Sequence, residues 1–199
     1  MARGPDKSFD IDESVERATE VFWSKGYAAT GVAELCEAMG VGKKSLYDTF
    51  GSKRDLYLRA LDRYADETAA ALEELAETAK DPLRALRSVL RSKGEEFGCA
   101  DSRGCFLGVA LAQVPSDDPE LAHLLGEHVA RMEKAFEGLI RQAVRKGSLA
   151  SSTPVTNLSR LIVSVLQGLG VRGRTRDNQA AAKGSLQALN GLLAAHAIA

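Results

Sequence analysis

The sequence predicts an all-α protein, on three observations. Apolar residues recur at helical spacing along most of the chain. Three dipeptides place a capping side chain directly before a proline, which suits the first position of a helix because proline lacks only an N–H that is unpaired there. No convincing run of alternating apolar and polar residues indicates a β-strand. The three dipeptides are Asp81-Pro82, Asp118-Pro119 and Thr153-Pro154.

Composition narrows the possible classes of protein. The 199 residues are enough for one large domain, or for a small domain joined to a medium one. With 26 Lys and Arg against 27 Asp and Glu, the net charge is −1, which excludes a chain that holds nucleic acid by bulk charge. No apolar run reaches the roughly 20 residues of a membrane span, and the first residues do not resemble a signal peptide. Three cysteines in a chain of this size favour the cytoplasm.

The first half of the chain predicts short helices followed by longer ones. Helices are expected over 11–25, about 31–38 and about 42–48, and glycines stop all three. Ser52 opens a fourth helix, with Asp55 in the third position of a capping box. We expect a boundary within that helix, which gives a small domain over 1–57 and a helical bundle over 58–199.

The two short helices have helix-turn-helix spacing. The turn between them contains Gly40, which suits a positive φ, and Val41, which the turn must bury. Leu46 points back into the core from the second helix. The helix over 11–25 completes a three-helix unit.

The second short helix offers hydrogen-bond donors on its exposed face. Lys43, Lys44, Ser45 and Tyr47 are side chains that contact phosphates and base edges. Thr30 is predicted to cap the first short helix, over about 31–38, and the N-terminus of that helix would bind a phosphate. Lys53 and Arg54 would bind a second phosphate. A paired lysine on a short helix is also typical of an ordinary solvated face, so residues alone leave both interpretations open.

The motifs of residues 22–30 and 40–56 resemble the N-terminal domain of the tetracycline-repressor (TetR) family. That family shows an aromatic residue, a Gly-aromatic pair, Thr, Gly-Val, and then Leu-Tyr-x-x-Phe-x-x-Lys, ending in Leu. All are present in order, from Phe22 to Leu56. The resemblance implies about nine helices and a homodimeric repressor that a small molecule releases from a near-palindromic operator, with no cofactor.

By position, the resemblance implies a set of DNA contacts. Asp48 and Thr49 depart from the family pattern, and Asp48 either accepts a hydrogen bond from cytosine or, as we favour, pairs with Lys44. A tail containing Arg3 and Lys7 is a candidate minor-groove arm. The expected DNA-binding residues are Thr30, Lys43, Lys44, Ser45, Tyr47, Asp48, Thr49 and Lys53.

The resemblance also divides the second domain between an effector pocket and a dimer interface. Two late helices, about 154–171 and 178–196, carry apolar stripes that suit a four-helix dimer interface, although packing within one subunit would also use them. The expected interface residues are Leu158, Ile162, Val165, Leu169, Leu186, Leu189 and Leu193. The expected pocket residues are Phe97, Cys105, Phe106, Val109, Met132 and Phe136.

Cys105 supports an alternative within the same family, a repressor that senses oxidants or electrophiles. It follows Arg103 at the expected start of a buried helix, and both features favour a thiolate. Cys99 would be its resolving partner. The competing interpretation is a small buried hydrophobic residue.

Two further patterns are weaker. Residues 168–173 match Gly-x-Gly-x-x-Gly, but too few residues follow for a dinucleotide-binding unit, and a loose helix end is expected instead. Glu120 and His123 match half of a di-iron motif that has no second half, so no metal is expected, and His123 and His128 are predicted at the surface. A helical enzyme, or an interaction module without DNA binding, is the remote alternative.

Overall fold

The computed structural model describes residues 9–175 and 178–198, which contain nine helices and no strand. The all-α prediction is confirmed, and the short helices lie within two residues of their expected bounds. The helices are α1 (Ile11–Lys25), α2 (Val32–Met39), α3 (Lys43–Phe50), α4 (Lys53–Thr78), α5 (Pro82–Gly98), α6 (Phe106–Ala112), α7 (Pro119–Arg145), α8 (Val155–Arg172) and α9 (Gln179–Ala195). Arg3 and Lys7, the candidate arm, lie outside the described residues. None of the described helices is long and apolar enough to cross a membrane.

Most of the predicted helix starts are confirmed by side-chain caps. The carboxylates of Asp81 and Asp118 accept from the backbone N–H of the third residue of α5 and of α7, at 2.9 and 3.0 Å. Ser52 accepts from the N–H of Asp55 at 3.1 Å. The start at Thr153 is wrong, because its hydroxyl donates to the Ala150 carbonyl (2.6 Å) and α8 begins one residue later than a Thr153 cap would place it.

The chain divides into two compact units between Arg63 and Tyr64, within α4. In the first unit, α1, α2 and α3 pack around side chains that are almost completely buried. These include Phe22, Leu35, Leu46 and Leu56, each 0% exposed. The aromatic ring of Phe9 lies 6.3 Å from that of Phe50, so the segment before α1 also contacts this core.

In the second unit, the core lies between α4, α5, α7, α8 and α9. Five of the seven residues expected at the dimer interface belong to this core, so the prediction is wrong for those five and stays a prediction for Val165 and Leu186. Leu158, Ile162, Leu169, Leu189 and Leu193 are at most 5% exposed within one subunit, and Val165 and Leu186 pack against them. Side chains that are already buried have almost no area left to bury against a second copy.

The Gly-x-Gly-x-x-Gly segment is a packing feature rather than a loose helix end. Gly168 and Gly170 lie within α8, and Gly173 directly follows it. A Cβ added to Gly170 would lie 2.4 Å from the Cβ of Cys105, so only glycine lets the loop before α6 approach α8 this closely. The Cys105 N–H donates to the Gly170 carbonyl at 3.3 Å.

Asn178 joins three helix ends. It is 1% exposed, and its amide group donates to the carbonyls of Phe97 (2.9 Å) and Leu169 (3.1 Å). These bonds hold the start of α9 against the end of α5 and the last turns of α8. A buried amide with two backbone acceptors fixes such a junction, because breaking either bond leaves a buried polar group unpaired.

Candidate nucleic-acid interface

The turn between α2 and α3 has the conformation that its sequence predicts. Gly40 adopts a left-handed conformation (φ 68°, ψ 28°), and its N–H donates to the carbonyls at the end of α2. The N–H of Val41 donates to the Cys36 carbonyl at 3.0 Å, which closes the end of the helix. A residue with a Cβ would be strained at Gly40, so this glycine sets the direction in which α3 leaves the turn.

The α3 helix separates buried from exposed residues along its length. Leu46 and Phe50 are 0% and 3% exposed and hold the helix on the first unit. Lys43, Lys44 and Tyr47 are exposed, with Tyr47 at 40%, although it is a large aromatic residue. The hydroxyl group of this tyrosine and the ammonium groups of the two lysines therefore remain accessible as hydrogen-bond donors. A surface that contacts phosphates and base edges requires such donors.

Thr30 is not the cap of α2, and that prediction is wrong. The N-cap is Gly31, while the Thr30 hydroxyl donates to the Gly26 carbonyl at 2.8 Å and the residue is 2% exposed. The side chain of Thr30 therefore stabilises the turn after α1 and is not presented to solvent. Because α2 has no side-chain cap, its first N–H groups keep the capacity to bind an anion.

Lys53 lies on an aromatic platform. Its Nζ is 4.3 Å from the centroid of the Tyr27 ring, which is within the range of a cation–π interaction. Partial burial lowers the pKa of the Lys53 ammonium group. Beneath it, the Tyr27 and Tyr57 rings are 4.8 Å apart, and burial together with the neighbouring Tyr27 raises the pKa of Tyr57 to about 12. The platform limits the directions in which this long side chain can point.

Lys44 and Asp48 form the ion pair that the sequence analysis favoured. Nζ and Oδ2 are 3.0 Å apart, one helical turn along α3, and both side chains are mostly exposed. An exposed pair of this kind contributes little to stability. We call the set Lys43, Lys44, Tyr47 and Lys53 the reading surface; the first three are exposed and Lys53 is half-buried. Ser45 and Thr49 are half-buried on the same helix.

The acidic residues of α1 are compensated within the first unit. Glu13 pairs with Arg17 at 2.5 Å, Glu16 pairs with Arg63 at 3.2 Å, and Arg63 also donates to the Asp12 carbonyl. The α1 carboxylates are therefore partly neutralised by cations that lie outside the reading surface. Residues 42–54 contain Lys43, Lys44, Lys53 and Arg54 against one acid, Asp48, and the paired acids of α1 do not cancel this positive excess.

The residues expected to line an effector pocket are placed as core residues. Phe97, Phe106, Val109 and Phe136 are at most 5% exposed, and Met132 is half-buried against the same core.

No group of three His, Cys, Asp or Glu side chains within the described ranges is arranged to hold a metal ion. His123 is exposed as predicted, whereas His128 is 7% exposed, so its predicted surface position is wrong.

Cys105 does begin α6, but its environment does not favour a thiolate. Burial raises the pKa of the Cys105 thiol, and the opposing effect of the Gly108 N–H, which donates to Sγ at 3.4 Å, is smaller. The Tyr64 hydroxyl lies 3.8 Å from the same sulfur. The prediction that its position at the helix N-terminus favours a thiolate is therefore wrong, because desolvation outweighs the effect of the first backbone N–H groups of α6 on the pKa. Cys99 is the exposed thiol of the two.

The role of Tyr27 was missed by sequence reasoning. The family pattern contains an aromatic residue at this position, but the spacing to Lys53 carries no periodic signal that would pair them. Only the packing of the α4 start on the turn after α1 brings the ring beneath the ammonium group.

The fold and the reading surface define a helix-turn-helix protein, and comparisons with known proteins agree. Residues 15–60 match the family model of bacterial regulatory proteins of the tetR family, and residues 79–189 match the tetracyclin repressor-like C-terminal domain. The chain is 30% identical to the HTH-type transcriptional repressor ComR of Escherichia coli, over 87% of this chain and 83% of ComR. It is 33% identical to the uncharacterized HTH-type regulator YezE of Bacillus subtilis, over 80% of this chain and 83% of YezE.

A solved structure resembles the chain over nearly its whole length. It is a cysteine mutant of the TetR-family regulator CifR in complex with a 26-bp double-strand operator DNA. The TM-score is 0.78 at 26% identity, covering 97% of this chain and all of the CifR chain. The chain belongs to the TetR family and is a transcription regulator rather than an enzyme.

Proposed function

We propose that the chain is a homodimeric repressor that binds a near-palindromic operator in the cytoplasm and is released by a small molecule. The observation that carries this proposal is the reading surface. Buried Leu46 and Phe50 hold α3 directly after a glycine turn, and Lys43, Lys44 and Tyr47 extend from its other side. The repressor name of ComR and the operator-bound CifR structure support the same function.

The contacts divide by chemistry. Tyr47, Lys53 and the first N–H groups of α2 hold phosphates, which fixes the position of the protein on the duplex. Lys43, Lys44 and Ser45 are the candidates for base edges in the major groove. Two subunits place two α3 helices in successive major grooves about 34 Å apart, so the operator has two related half-sites.

The exposed side of α8 and α9 supports the dimer. Leu161, Val171 and Leu192 are 41%, 37% and 45% exposed, which is unusual for aliphatic side chains. On the same two helices, Gly168 and Gly184 have no neighbouring atom within 4 Å of an added Cβ. Small residues beside exposed leucines allow the helices of a second copy to approach closely, so this side, and not the stripes named from the sequence, is the proposed interface.

Release follows from differential affinity. A small molecule releases the operator when it binds more tightly to a conformation in which the two α3 helices are wrongly spaced than to the DNA-binding conformation. The ratio of these two affinities limits how far it can lower operator occupancy.

Selection of binding sites from a random duplex library tests the proposal. The unaltered protein should enrich a two-half-site sequence. Lys44→Ala should enrich a sequence that differs at defined positions, while Lys134→Ala, a change at an exposed lysine of α7, should enrich the original one. Enrichment of no sequence by the unaltered protein would contradict the proposed function, and an unchanged sequence for Lys44→Ala would contradict the base contact.

The dimer is tested by light scattering during gel filtration. Leu161→Glu combined with Leu192→Glu should convert the protein to a monomer, because two charges in each copy would be buried. Ile11→Glu, at a similarly exposed apolar residue of the first unit, should leave the mass of the dimer unchanged. A double variant that remains dimeric would exclude this face of α8 and α9.

A further inference from the structure

A groove of about 850 Å³ runs between α5 and α9 in the second unit. Its size lies within the roughly 300–1,000 Å³ of sites that bind small molecules. It contains none of the residues that the sequence predicted for an effector pocket. We call it the α5–α9 groove.

Four cationic side chains line this groove. Arg84, Arg87 and Arg91 come from α5, and Lys183 comes from the facing helix α9. The spacing of the three arginines, three and then four residues, places them on one side of α5. Glu95 is the carboxylate of the lining, so the groove carries an excess of positive charge in a chain whose net charge is −1.

The four cations form no ion pair with any side chain in the parts of the chain that the structure describes. Several cations elsewhere do pair: Arg17 with Glu13, Lys93 with Glu96, and Arg141 with Glu137 at 3.4 Å. Glu95 lies in the same lining but pairs with none of the four within the described residues, and like charges brought close together repel one another. Their convergence in a concavity is therefore a feature that ordinary surface charge balance does not explain.

The groove also provides polar groups with unused hydrogen-bonding capacity. The side-chain Oδ1 of Asn190 is buried, lacks a hydrogen-bond partner among the described residues, and belongs to the lining. A buried amide oxygen without a partner costs free energy unless a ligand or water reaches it. Ser88 and Gln187 add a hydroxyl and a second amide to the same lining.

We propose that the α5–α9 groove binds a small molecule that carries at least two negative charges, such as a phosphate ester or a polycarboxylate. The guanidinium groups of Arg87 and Arg91 are suited to paired hydrogen bonds with phosphate or carboxylate oxygens. Lys183 supplies a further positive charge from the opposite side. Asn190 accepts from a hydroxyl of the ligand. Binding releases the repulsion among the four cations, so affinity increases with the number of ligand charges.

A double-stranded nucleic acid fits the groove less well. A duplex contacts extended or convex surfaces, whereas these cations face one another across a cavity between two helices. Binding of a nucleic-acid duplex in the groove is therefore one of the outcomes that the binding experiment below distinguishes. The regulatory consequence, operator release by the anion, rests on the proposed function, whereas the binding itself does not.

Calorimetric titration of the full-length protein with inorganic pyrophosphate and with citrate, at constant ionic strength, tests the site. Both anions should bind saturably, and Arg87→Gln combined with Arg91→Gln should weaken binding at least tenfold. Arg145→Gln, at an exposed arginine of α7 outside the groove, should bind as the unaltered protein does. Circular dichroism of each variant verifies that the helices are intact.

Several results would overturn the inference. These are the absence of saturable binding of both anions, equal binding by the double variant, or equal weakening by Arg145→Gln. Weaker binding of an unrelated DNA duplex by the double variant, without an effect on either anion, would assign the groove to nucleic acid instead. If the anions bind but no operator sequence is enriched, the groove stands and the proposed function fails.

Discussion

Lys44 on α3 and Lys53 at the start of α4 each contact a partner within the first unit, whereas the cations of the α5–α9 groove form no ion pair within the described residues. Lys44 pairs with Asp48 at 3.0 Å, and Lys53 lies over the Tyr27 ring at 4.3 Å. Arg84, Arg91 and Lys183 have no such partner within the described residues. Both surfaces are cationic, but only on the reading surface do two of the cations, Lys44 and Lys53, contact a partner side chain.

The difference relates to the shape of the ligand. A duplex presents phosphates at fixed spacing, so side chains that are already oriented lose less entropy on binding. A small anion binds inside a concavity, where several cations can turn toward it. These cations therefore need to lie close together, but their side chains need not be oriented in advance. The reading surface therefore depends on positioning, and the α5–α9 groove depends on charge density.

The largest expected effect comes from removing the support of the reading surface. Leu46→Ala should lower the free energy of unfolding of the first unit by about 2–5 kcal/mol, because it leaves a cavity beneath α3. Trp23 is the one tryptophan of the chain and lies in this unit, so its fluorescence during urea denaturation reports the change. Ile11→Ala, at a residue that is 48% exposed, serves as the control and should change stability by less than about 0.5 kcal/mol. Equal effects of the two variants would contradict the burial of Leu46.

The α5–α9 groove has a corresponding support at Gly94. A Cβ added there would lie 1.7 Å from the Cδ1 atom and 3.0 Å from the Cγ atom of Leu186, so in Gly94→Val the Leu186 side chain of α9 must leave its present position against α5. We expect a loss of about 1–3 kcal/mol in unfolding free energy and weaker pyrophosphate binding. Gly126→Val on α7, where an added Cβ has no neighbour within 4 Å, is the matched control. Urea denaturation followed by circular dichroism measures both, and similar stabilities would show that the two helices can adjust freely.

The first unit was predictable because its signals are local. Gly40 and Gly51 end the two short helices, and each adopts the positive φ that favours glycine, at 68° and 84°. The fold class and the exposed position of Lys43, Lys44 and Tyr47 follow from such local signals together with the family motif. The prediction for Thr30 was wrong because a threonine before a helix can either cap that helix or stabilise the turn before it. The sequence does not distinguish these two roles, and in the structure Gly31 is the N-cap of α2.

The second unit was less predictable because its features join distant parts of the chain. A stripe of leucines such as Leu158 and Leu189 shows that a helix side is covered, but not whether its own subunit or a second copy covers it. The arginines of α5 resemble any solvated helix side until Lys183, far along the chain, is placed opposite them. No spacing rule predicts that convergence.

A smaller effect is expected at Lys53. Lys53→Ala should weaken binding to the operator and to an unrelated duplex alike, by about tenfold, and should reduce the slope of log K against log salt by about 1, because one phosphate contact is lost. Tyr47→Ala should weaken both without changing the slope, since its hydroxyl is neutral. Fluorescence anisotropy between low and moderate salt measures these quantities. A loss confined to the operator would instead make Lys53 a base contact.

The platform beneath Lys53 provides a subtler test of positioning. Tyr27→Leu removes the aromatic face and should weaken operator binding by about two- to fivefold, as expected for an interaction of about 0.5–1 kcal/mol. Tyr27→Phe keeps the face and should restore most of the affinity. The salt slope should stay unchanged in both variants, because the ammonium charge remains. If leucine and phenylalanine behave alike, the ring does not position Lys53.

The smallest expected effect concerns Cys99, an exposed thiol in the lining of the α5–α9 groove. Positive potential attracts anionic iodoacetate more than neutral iodoacetamide, whereas a change in the thiol pKa affects both reagents equally. The ratio of the two alkylation rates at Cys99 therefore measures the charge of the groove. Arg87→Gln combined with Arg91→Gln should lower that ratio about two- to threefold, and added salt should do the same to the unaltered protein.

Peptide mass spectrometry separates Cys99 from Cys105, whose burial and raised thiol pKa should make it the slower of the two. The variant Arg145→Gln should leave the ratio unchanged. A ratio that responds to salt but not to the two groove arginines would place the positive potential elsewhere. In that case the cations of the α5–α9 groove would be as well solvated as those of any open helix face, and their contrast with the oriented lysines of the reading surface would no longer hold.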